Sequence, residues 1–380
     1  MVSLDVFRGA TIAAMILVND PGSWSHIYPP LEHAEWNGWT PTDLIFPFFL
    51  FIVGVSMTLS FASRIGRGIT RGALVIHIVR RSALIFALGL FLNGFPGFDV
   101  NTIRIMGVLQ RIALCYLLAG LLYLATFQSE PAADRPARVR ANLRITAAVA
   151  IALLIGYWAL LTFVPVPGYG AGRLGREDNL GAYIDRALMG GHLWSESITW
   201  DPEGLLSTLP AIASLLIGIL AGEWLRSDRP AGRKTLGLAA AGLVLLIAGR
   251  LLHPYFPINK NLWTSSFVLF TGGFAMLALA ACYWIVDVRA WRAWAAPFLA
   301  FGMNAILAYA LAALVSEVST DFEFSDASGH QTTLHGWLYQ RFFVPHASPV
   351  NASLAFAVFF VFVIFVLLWP FYRGKVFLRF

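Results

Sequence analysis

The densest collection of reactive side chains lies between Asn19 and Pro47, N-D-P-G-S-W-S-H-I-Y-P-P-L-E-H-A-E-W-N-G-W-T-P-T-D-L-I-F-P. His33 sits between Glu32 and Glu35, and Asp43 follows at the entry to an apolar run. An imidazole beside carboxylates is stabilised in its charged form, which suits a general base working near neutral pH. Asn19 closes the preceding apolar stretch, and its amide can donate to a developing oxyanion. A plainer reading competes with this one. Asp20, Pro21 and Gly22 are ordinary turn residues, and His33 can simply face water.

A second group consists of polar residues inside apolar runs. Arg111 follows Gln110, about two helical turns past Arg104 if both share one helix. Arg250 and Asn304 occupy comparable places. A buried arginine in hydrocarbon is costly and normally faces a bundle interior or a wet cavity. Arg250, close to a run's end, also fits a snorkelling side chain, and Asn304 fits helix–helix glue equally well. Arg8, Arg80 and Arg81 stand at the starts of runs, where they either clamp phosphates or merely signal topology.

Three further blocks mix polar and apolar residues: W-D-P-E-G-L-L-S-T-L-P from Trp200, I-N-K-N-L-W-T-S-S-F from Ile258 and G-M-N-A-I-L-A-Y from Gly302. Asp201 fits an N-cap with Pro202 at the first helical position, and capping explains much of the first block. Lys260 and Asn261, beside Trp263, are less easily dismissed. No metal-binding spacing, nucleophile elbow or phosphate loop is present, so a metal cofactor is not expected. Cys115 and Cys282 fall inside apolar runs and read as packing residues.

The elements that must position these residues follow from composition. The 380 residues are 58% hydrophobic and only 13% charged, against about 45–50% and 25% in soluble domains. The apolar residues come in blocks of about 20, the length that crosses a hydrocarbon core. The predicted spans are Leu4–Asn19, Thr42–Ala62, Ala73–Leu92, Ile103–Phe127, Leu143–Val164, Gly204–Leu225, Thr235–Leu252, Leu262–Val286, Pro297–Val318 and Val350–Phe371. Lipid offers no partner for an open backbone, and these blocks are too long for barrel strands. The expected fold is therefore all-α, a polytopic transmembrane bundle of about ten spans, with 1–380 as a single domain. Gly9–Val18 reads as part of a short first helix and not as a cleavable signal.

Arginine placement sets the expected orientation. With the N-terminus cytoplasmic, inner loops hold Arg64, Arg67, Arg71, Arg135, Arg138, Arg140, Arg144, Arg226, Arg229, Arg233, Lys234, Arg289 and Arg292. The tail adds Arg373, Lys375 and Arg379. Few basic residues remain outside, so both termini are expected in the cytoplasm. The net charge of +6 is then topology information, and no nucleic-acid partner is expected. The lipid bilayer is the expected surrounding, in the cell inner membrane.

Taken in order, S-L-D-V-F-R-G, Val18–Asn19, H-A-E-W-N-G-W-T-P-T-D-L-I-F-P-F-F-L-F-I-V-G, G-V-L-Q-R-I-A, D-P-E-G-L-L-S-T, N-K-N-L-W and G-M-N-A-I-L resemble the heparan-α-glucosaminide N-acetyltransferase family of transmembrane acyltransferases. The resemblance implies an enzyme that takes acetyl-CoA from the cytosolic side and acetylates the amine of a glucosamine beyond the membrane. It implies His33 as the catalytic residue and Asn19 in the same site. It also implies Arg8 and Arg81 at the coenzyme mouth, and a homodimer, though no local motif demands one. Arg111 is taken as a third coenzyme contact. Asp43, Asp201, Glu203, Lys260 and Trp263 are taken as acceptor contacts from their side and depth. The chain departs from the family in lacking a basic residue before S-L-D and in having Met106 where proline is expected. It also begins at the first motif, as the short bacterial members do. The outer loop Pro165–Glu203 has no recognised counterpart. The competing reading is a sugar or metabolite permease without chemistry, whose mark is inverted repeats with paired broken helices; none is visible.

Overall fold

The computed structural model describes residues 1–130, 138–325, 329 and 331–377; Arg135 and Arg379 of the arginine pattern lie outside them. The chain is all-α. Among the described residues nine helical segments are long and apolar enough to cross a membrane, and a bent pair brings the number to as many as ten. In order the helices are α1 (Val2–Asn19), α2 (Ile45–Gly66), α3 (Arg71–Gly94), α4 (Val108–Thr126), α5 (Leu143–Phe163), α6 (Leu180–Met189), α7 (Thr208–Leu225), α8 (Ala231–Leu252), α9 (Ser265–Cys282), α10 (Ala296–Met303), α11 (Ala305–Asp321), α12 (Leu334–Phe342) and α13 (Pro349–Arg373). Two short antiparallel ribbons accompany them, Gln128–Glu130 with Arg138–Arg140 and Glu323–Ser325 with Gln331–Thr333. Several helices start where a side chain accepts an orphan backbone N–H: Thr70 from Ala73, Asn142 from Ile145 and Asn179 from Ala182.

The chain divides into two compact units. The first comprises Met1–Ala34, Thr40–Ile45 and Ile285–Arg379. Here α1 crosses α10 at a pair of glycines. A Cβ at Gly9 would lie 1.7 Å from the Phe298 carbonyl oxygen, and one at Gly302 would lie 1.9 Å from that of Asp5. Such close backbone approach is how helices pack where lipid removes the hydrophobic drive. Val6, Val286 and Ala295 fill the space beside this crossing, and Ser3 Oγ donates to Asp287 at 2.6 Å.

The second unit comprises Glu35–Trp39 and Phe46–Trp284. α7 is its most enclosed helix, with 83% of its apolar window buried. α7 meets α2 at Gly218 and Gly54, where an added Cβ would come within 2.1 Å of a carbonyl oxygen on the facing helix.

Three expected spans need correction. Pro297–Val318 is not one helix: it breaks at Asn304 into α10 and α11, bent by 87°. Gly302 and Asn304 are both poor helix formers, and the Asn304 amide donates to the Val376 carbonyl at 3.2 Å. The fourth span starts at Val108, not Ile103, so Arg104 and Arg111 do not share a helix. The sixth starts at Thr208, leaving Asp201–Ser207 as irregular chain.

Candidate active site

In the first unit α1 ends at Asn19. The chain then turns and is pinned to α13, the Gly22 N–H donating to the Ser353 carbonyl at 3.2 Å and the Ser23 N–H to Ser353 Oγ at 3.0 Å. Further on, T-P-T-D forms a single 3-10 turn (Pro41–Leu44) with Thr40 as N-cap, Pro41 inside the first turn and a complete capping box. That turn fixes Asp43, which is only 1% exposed. Its Oδ2 accepts the N–H groups of Thr40 at 2.9 Å and Ala34 at 3.1 Å. Its Oδ1 lies 2.7 Å from His33 Nδ1. A carboxylate already accepting backbone donors accepts again, so Nδ1 carries the ring proton and Nε2 is the basic nitrogen. The His33 ring remains 48% exposed. The arrangement is a histidine whose tautomer and orientation are set by a buried acid, which is the construction of a general base. Asn19, at the end of α1, is exposed.

Asp43, expected among the acceptor contacts, is enclosed and pairs with His33. Glu32 and Glu35, the flanking acids, are both exposed, and Glu35 pairs with Arg176 at 3.2 Å. Arg8 donates to Asp5 and to the Gly302 carbonyl, each at 3.0 Å.

In the second unit the D-P-E-G block becomes an ionic knot. Arg104 donates to Asp201 through Nε at 2.8 Å and Nη2 at 2.6 Å, and through Nη2 to Glu203 at 2.6 Å. Asp201 and Glu203 are both buried. Burial alone would raise the Glu203 carboxyl, but Arg104, Arg111 and Lys260 outweigh it and hold it below the usual carboxylate range. Burial likewise opposes the Arg104 cation, and Asp201 and Glu203 outweigh it, so Arg104 stays protonated more firmly than usual. One arginine thus spends its donors on both acids, and neither presents an open charge for an acceptor.

Arg111 lies deeper and is fully buried. Nη2 donates to the Gly204 carbonyl at 3.1 Å and to Ser207 Oγ, while Nε and Nη1 have no hydrogen-bond partner. Its guanidinium lies 5.1 Å from the Trp263 ring centre. Trp263, expected to touch acceptor, is instead wholly enclosed: it donates to Ser214 Oγ at 3.1 Å and packs on Phe46 and Phe267. The N-K-N-L-W block is a turn that delivers this ring inward. Asn259 Oδ1 accepts the Leu262 N–H at 2.8 Å, and the Lys260 carbonyl accepts that of Trp263 at 3.0 Å. Lys260 itself is half-buried.

On α3 the Arg81 guanidinium lies 4.9 Å from the Tyr116 ring centre. Arg81 Nε, His77 Nε2 and Ser82 Oγ are buried without hydrogen-bond partners. Unsatisfied buried donors of this kind call for a polar ligand or ordered water, so the residues fit an anionic group such as a coenzyme phosphate. His77 was not among the expected site residues; its i,i+4 spacing places it on the same helix face as Arg81.

Sequence reasoning also passed over Asp185. It lies in α6 among the buried positions Leu180, Ala182 and Met189, where an amphipathic helix ordinarily places an apolar residue. Burial, reinforced by the charge of Asp201, pushes its carboxyl up to about 7 despite the Leu205 N–H and Arg111. Among the described residues no cluster of three His, Cys, Asp or Glu side chains is placed to hold a metal ion.

Comparison with known proteins bears out the resemblance drawn from the motifs. Residues 1–133 match the model of the heparan-alpha-glucosaminide N-acetyltransferase catalytic family. The heparan-alpha-glucosaminide N-acetyltransferases of Homo sapiens and Mus musculus are each 33% identical to this chain, over 348 and 347 residues. Those alignments cover 81% and 80% of this chain and 52% of each relative. The chain thus spans about half the length of the curated relatives it matches.

Proposed function

From this kinship with the heparan-alpha-glucosaminide N-acetyltransferases we propose that the chain is an acetyl-CoA-dependent N-acetyltransferase. It moves an acetyl group from cytosolic acetyl-CoA to the amine of a glucosamine-type sugar on the extracytoplasmic side of the inner membrane. Residues 1–380 act as one transmembrane acyltransferase domain, and the family resemblance favours a homodimer. The arginine asymmetry supports the sidedness, with both termini in the cytoplasm.

The observation that carries this reading is the 2.7 Å contact between His33 Nδ1 and the enclosed Asp43 carboxylate. A glucosamine amine is largely protonated near neutral pH, and only its neutral form attacks a thioester. His33 Nε2 receives the amine's proton as the nitrogen–carbon bond forms at the acetyl carbonyl. The carbon–sulfur bond then breaks, and the departing thiolate takes up the proton. Asp43 keeps the accepting nitrogen on the correct side of the ring. Asn19 donates its amide N–H to the oxygen that becomes negative in between. Arg8 and Arg81, on different units, are each proposed as phosphate contacts, and Arg111, with two unspent donors, as a further coenzyme contact. Lys260 is retained as an acceptor contact.

The test is purified full-length protein with acetyl-CoA and glucosamine, with released thiol followed over time. Thiol release that depends on the amine supports the transferase. Binding of sugar or coenzyme without release points to a permease instead. Radiolabelled acetyl on the protein before any acceptor is added identifies an acetyl-His33 intermediate in place of direct transfer.

A further inference from the structure

Glu35–Trp39, E-W-N-G-W, belongs to the second unit, although the chain on either side of it, Met1–Ala34 and Thr40–Ile45, belongs to the first. Those flanking pieces carry His33 and Asp43. The five-residue strap between them is neither helix nor strand, so its position depends on what it touches. Each of its residues is held. The Glu35 carbonyl accepts from Arg176 Nη2 at 2.9 Å. Trp36 Nε1 donates to the Leu174 carbonyl at 2.9 Å, and the Arg176 guanidinium lies 5.7 Å from the Trp36 ring centre. Asn37 Oδ1 accepts from the Asn259 amide at 3.1 Å. The Gly38 N–H donates to the Ile258 carbonyl at 2.8 Å, from a backbone φ of +108° that favours glycine. Trp39 packs on Phe270 with ring centres 4.9 Å apart.

Two separate pieces of the second unit supply the hydrogen-bond partners. Ile258 and Asn259 come from the turn that also delivers Trp263 inward, and Asn259 is fully buried. Leu174 and Arg176 come from the stretch Pro165–Glu203. Arg176 is about half exposed, so it can be replaced without opening the core. The His33 ring is itself about half exposed, and packing does little to hold it. A general base has to stand within about 0.5 Å of its productive place, and a misplacement of about 1 Å can cost roughly 10²-fold in rate.

We propose that Arg176 and Trp36 are positioning residues for His33: by clasping the strap they hold the backbone on which His33 and Asp43 are mounted. The inference rests on the acetyltransferase reading for the role of His33. It goes beyond that reading in giving a task to the stretch Pro165–Glu203, which has no recognised counterpart among the family motifs.

The test combines amide hydrogen exchange with steady-state kinetics on the purified full-length protein, using acetyl-CoA and glucosamine. Trp36→Phe removes the indole N–H and keeps an aromatic ring. Arg176→Ala and Trp36→Phe should each speed exchange across residues 33–43 and lower kcat about tenfold to a hundredfold, with KM for acetyl-CoA unchanged. Arg176→Lys keeps one cationic donor for the Glu35 carbonyl and should recover part of the loss. Arg173→Ala is the control, since that guanidinium donates to the Tyr169 carbonyl; both readouts should stay at wild type. If one variant does not fold, the other decides. An unchanged kcat overturns the proposal even where exchange quickens, because the clasp is then structural only. So does a lower kcat without faster exchange across 33–43, because the loss then arises elsewhere. The two readings fail separately. Amine-dependent thiol release that is normal in Arg176→Ala removes the positioning role and keeps the enzyme. A wild-type chain that transfers no acetyl group removes the enzyme, and faster exchange in Arg176→Ala then still reports the clasp.

Discussion

Two ion-paired carboxylate arrangements of nearly equal bond length are built in opposite ways in this protein. His33–Asp43, at 2.7 Å, couples an enclosed acid to a ring that is 48% exposed. Arg104–Asp201–Glu203, at 2.6 Å, couples enclosed acids to a cation that is only 21% exposed. In the first, the acid's remaining oxygen is occupied by backbone N–H groups, and the ring it orients stays about half exposed. In the second, one guanidinium is forked across both acids. Bond length therefore does not separate the two arrangements; the exposure of the partner does, and it is the half-exposed His33 that is proposed as the general base.

The comparison is most exposed at His33. His33→Ala should lower turnover by about 10²–10⁴ while leaving acetyl-CoA binding intact. Asp43→Asn, which lets the ring present the wrong tautomer, should fall in the same direction. His26, in the same loop, should tolerate alanine. A normal rate in His33→Ala with a defect in His26→Ala would reverse the assignment.

Arg104 gives the opposite pattern. Removing it strands two buried carboxylates, and breaking a buried pair from one side typically costs about 3–5 kcal/mol. Arg104→Ala should unfold at markedly lower denaturant in detergent, and its thermal midpoint should fall. If it stays as stable as wild type but loses turnover, the knot is part of the chemistry and the contrast drawn above is wrong.

Arg8→Ala and Arg81→Ala sharpen the contrast further, because they ask whether arginines outside the knot hold ligand. Each is expected to weaken acetyl-CoA binding about tenfold to a hundredfold and to leave glucosamine binding alone. Normal coenzyme binding in both would make them topology signals only.

The smallest effect concerns pH. The Asp185 carboxyl is pushed from 3.8 up to about 7, chiefly by burial, with Asp201 adding to the shift and Arg111 and the Leu205 N–H opposing it. The folded chain then holds a proton that the unfolded chain has released, so folding is favoured at low pH. That contribution is complete below about 3.8 and is lost as pH rises through about 7. Asp185→Asn cannot ionise and should flatten this part of the stability profile between those values. Asp20, raised to about 7 by burial, contributes with the same sign, so some slope should survive. A profile that keeps its full slope in Asp185→Asn would show that the group does not titrate there.

Much of the architecture was legible in advance because hydrocarbon leaves so few choices. A block of about 20 apolar residues without charge has to be a helix, and most predicted spans match observed helices to within a few residues. The misses came where a polar residue could leave the apolar phase for a better partner. Arg104 looked like part of the fourth helix, yet its chain segment stays irregular and carries the guanidinium to Asp201 and Glu203. The tenth span looked continuous, yet Gly302 and Asn304 allowed an 87° break. Trp263 is an expected acceptor contact from its side and depth, yet the turn at Asn259 points its ring inward.

Composition therefore determined the all-α class and, to within one, the number of membrane-length helices among the described residues, and motif order singled out His33 as the residue to examine. Those properties depend on local hydrophobicity and on side-chain type, which the sequence states directly. Which acid serves His33, and which acids are already spent, was decided only by tertiary structure. Asp43 is ten positions from His33, and Asp201 is ninety-seven from Arg104. Nothing local distinguishes Asp201, paired with Arg104, from Asp185, which has no salt bridge among the described residues. A carboxylate's charge has meaning only relative to what is brought within a few ångströms of it, and that is settled when the helices pack.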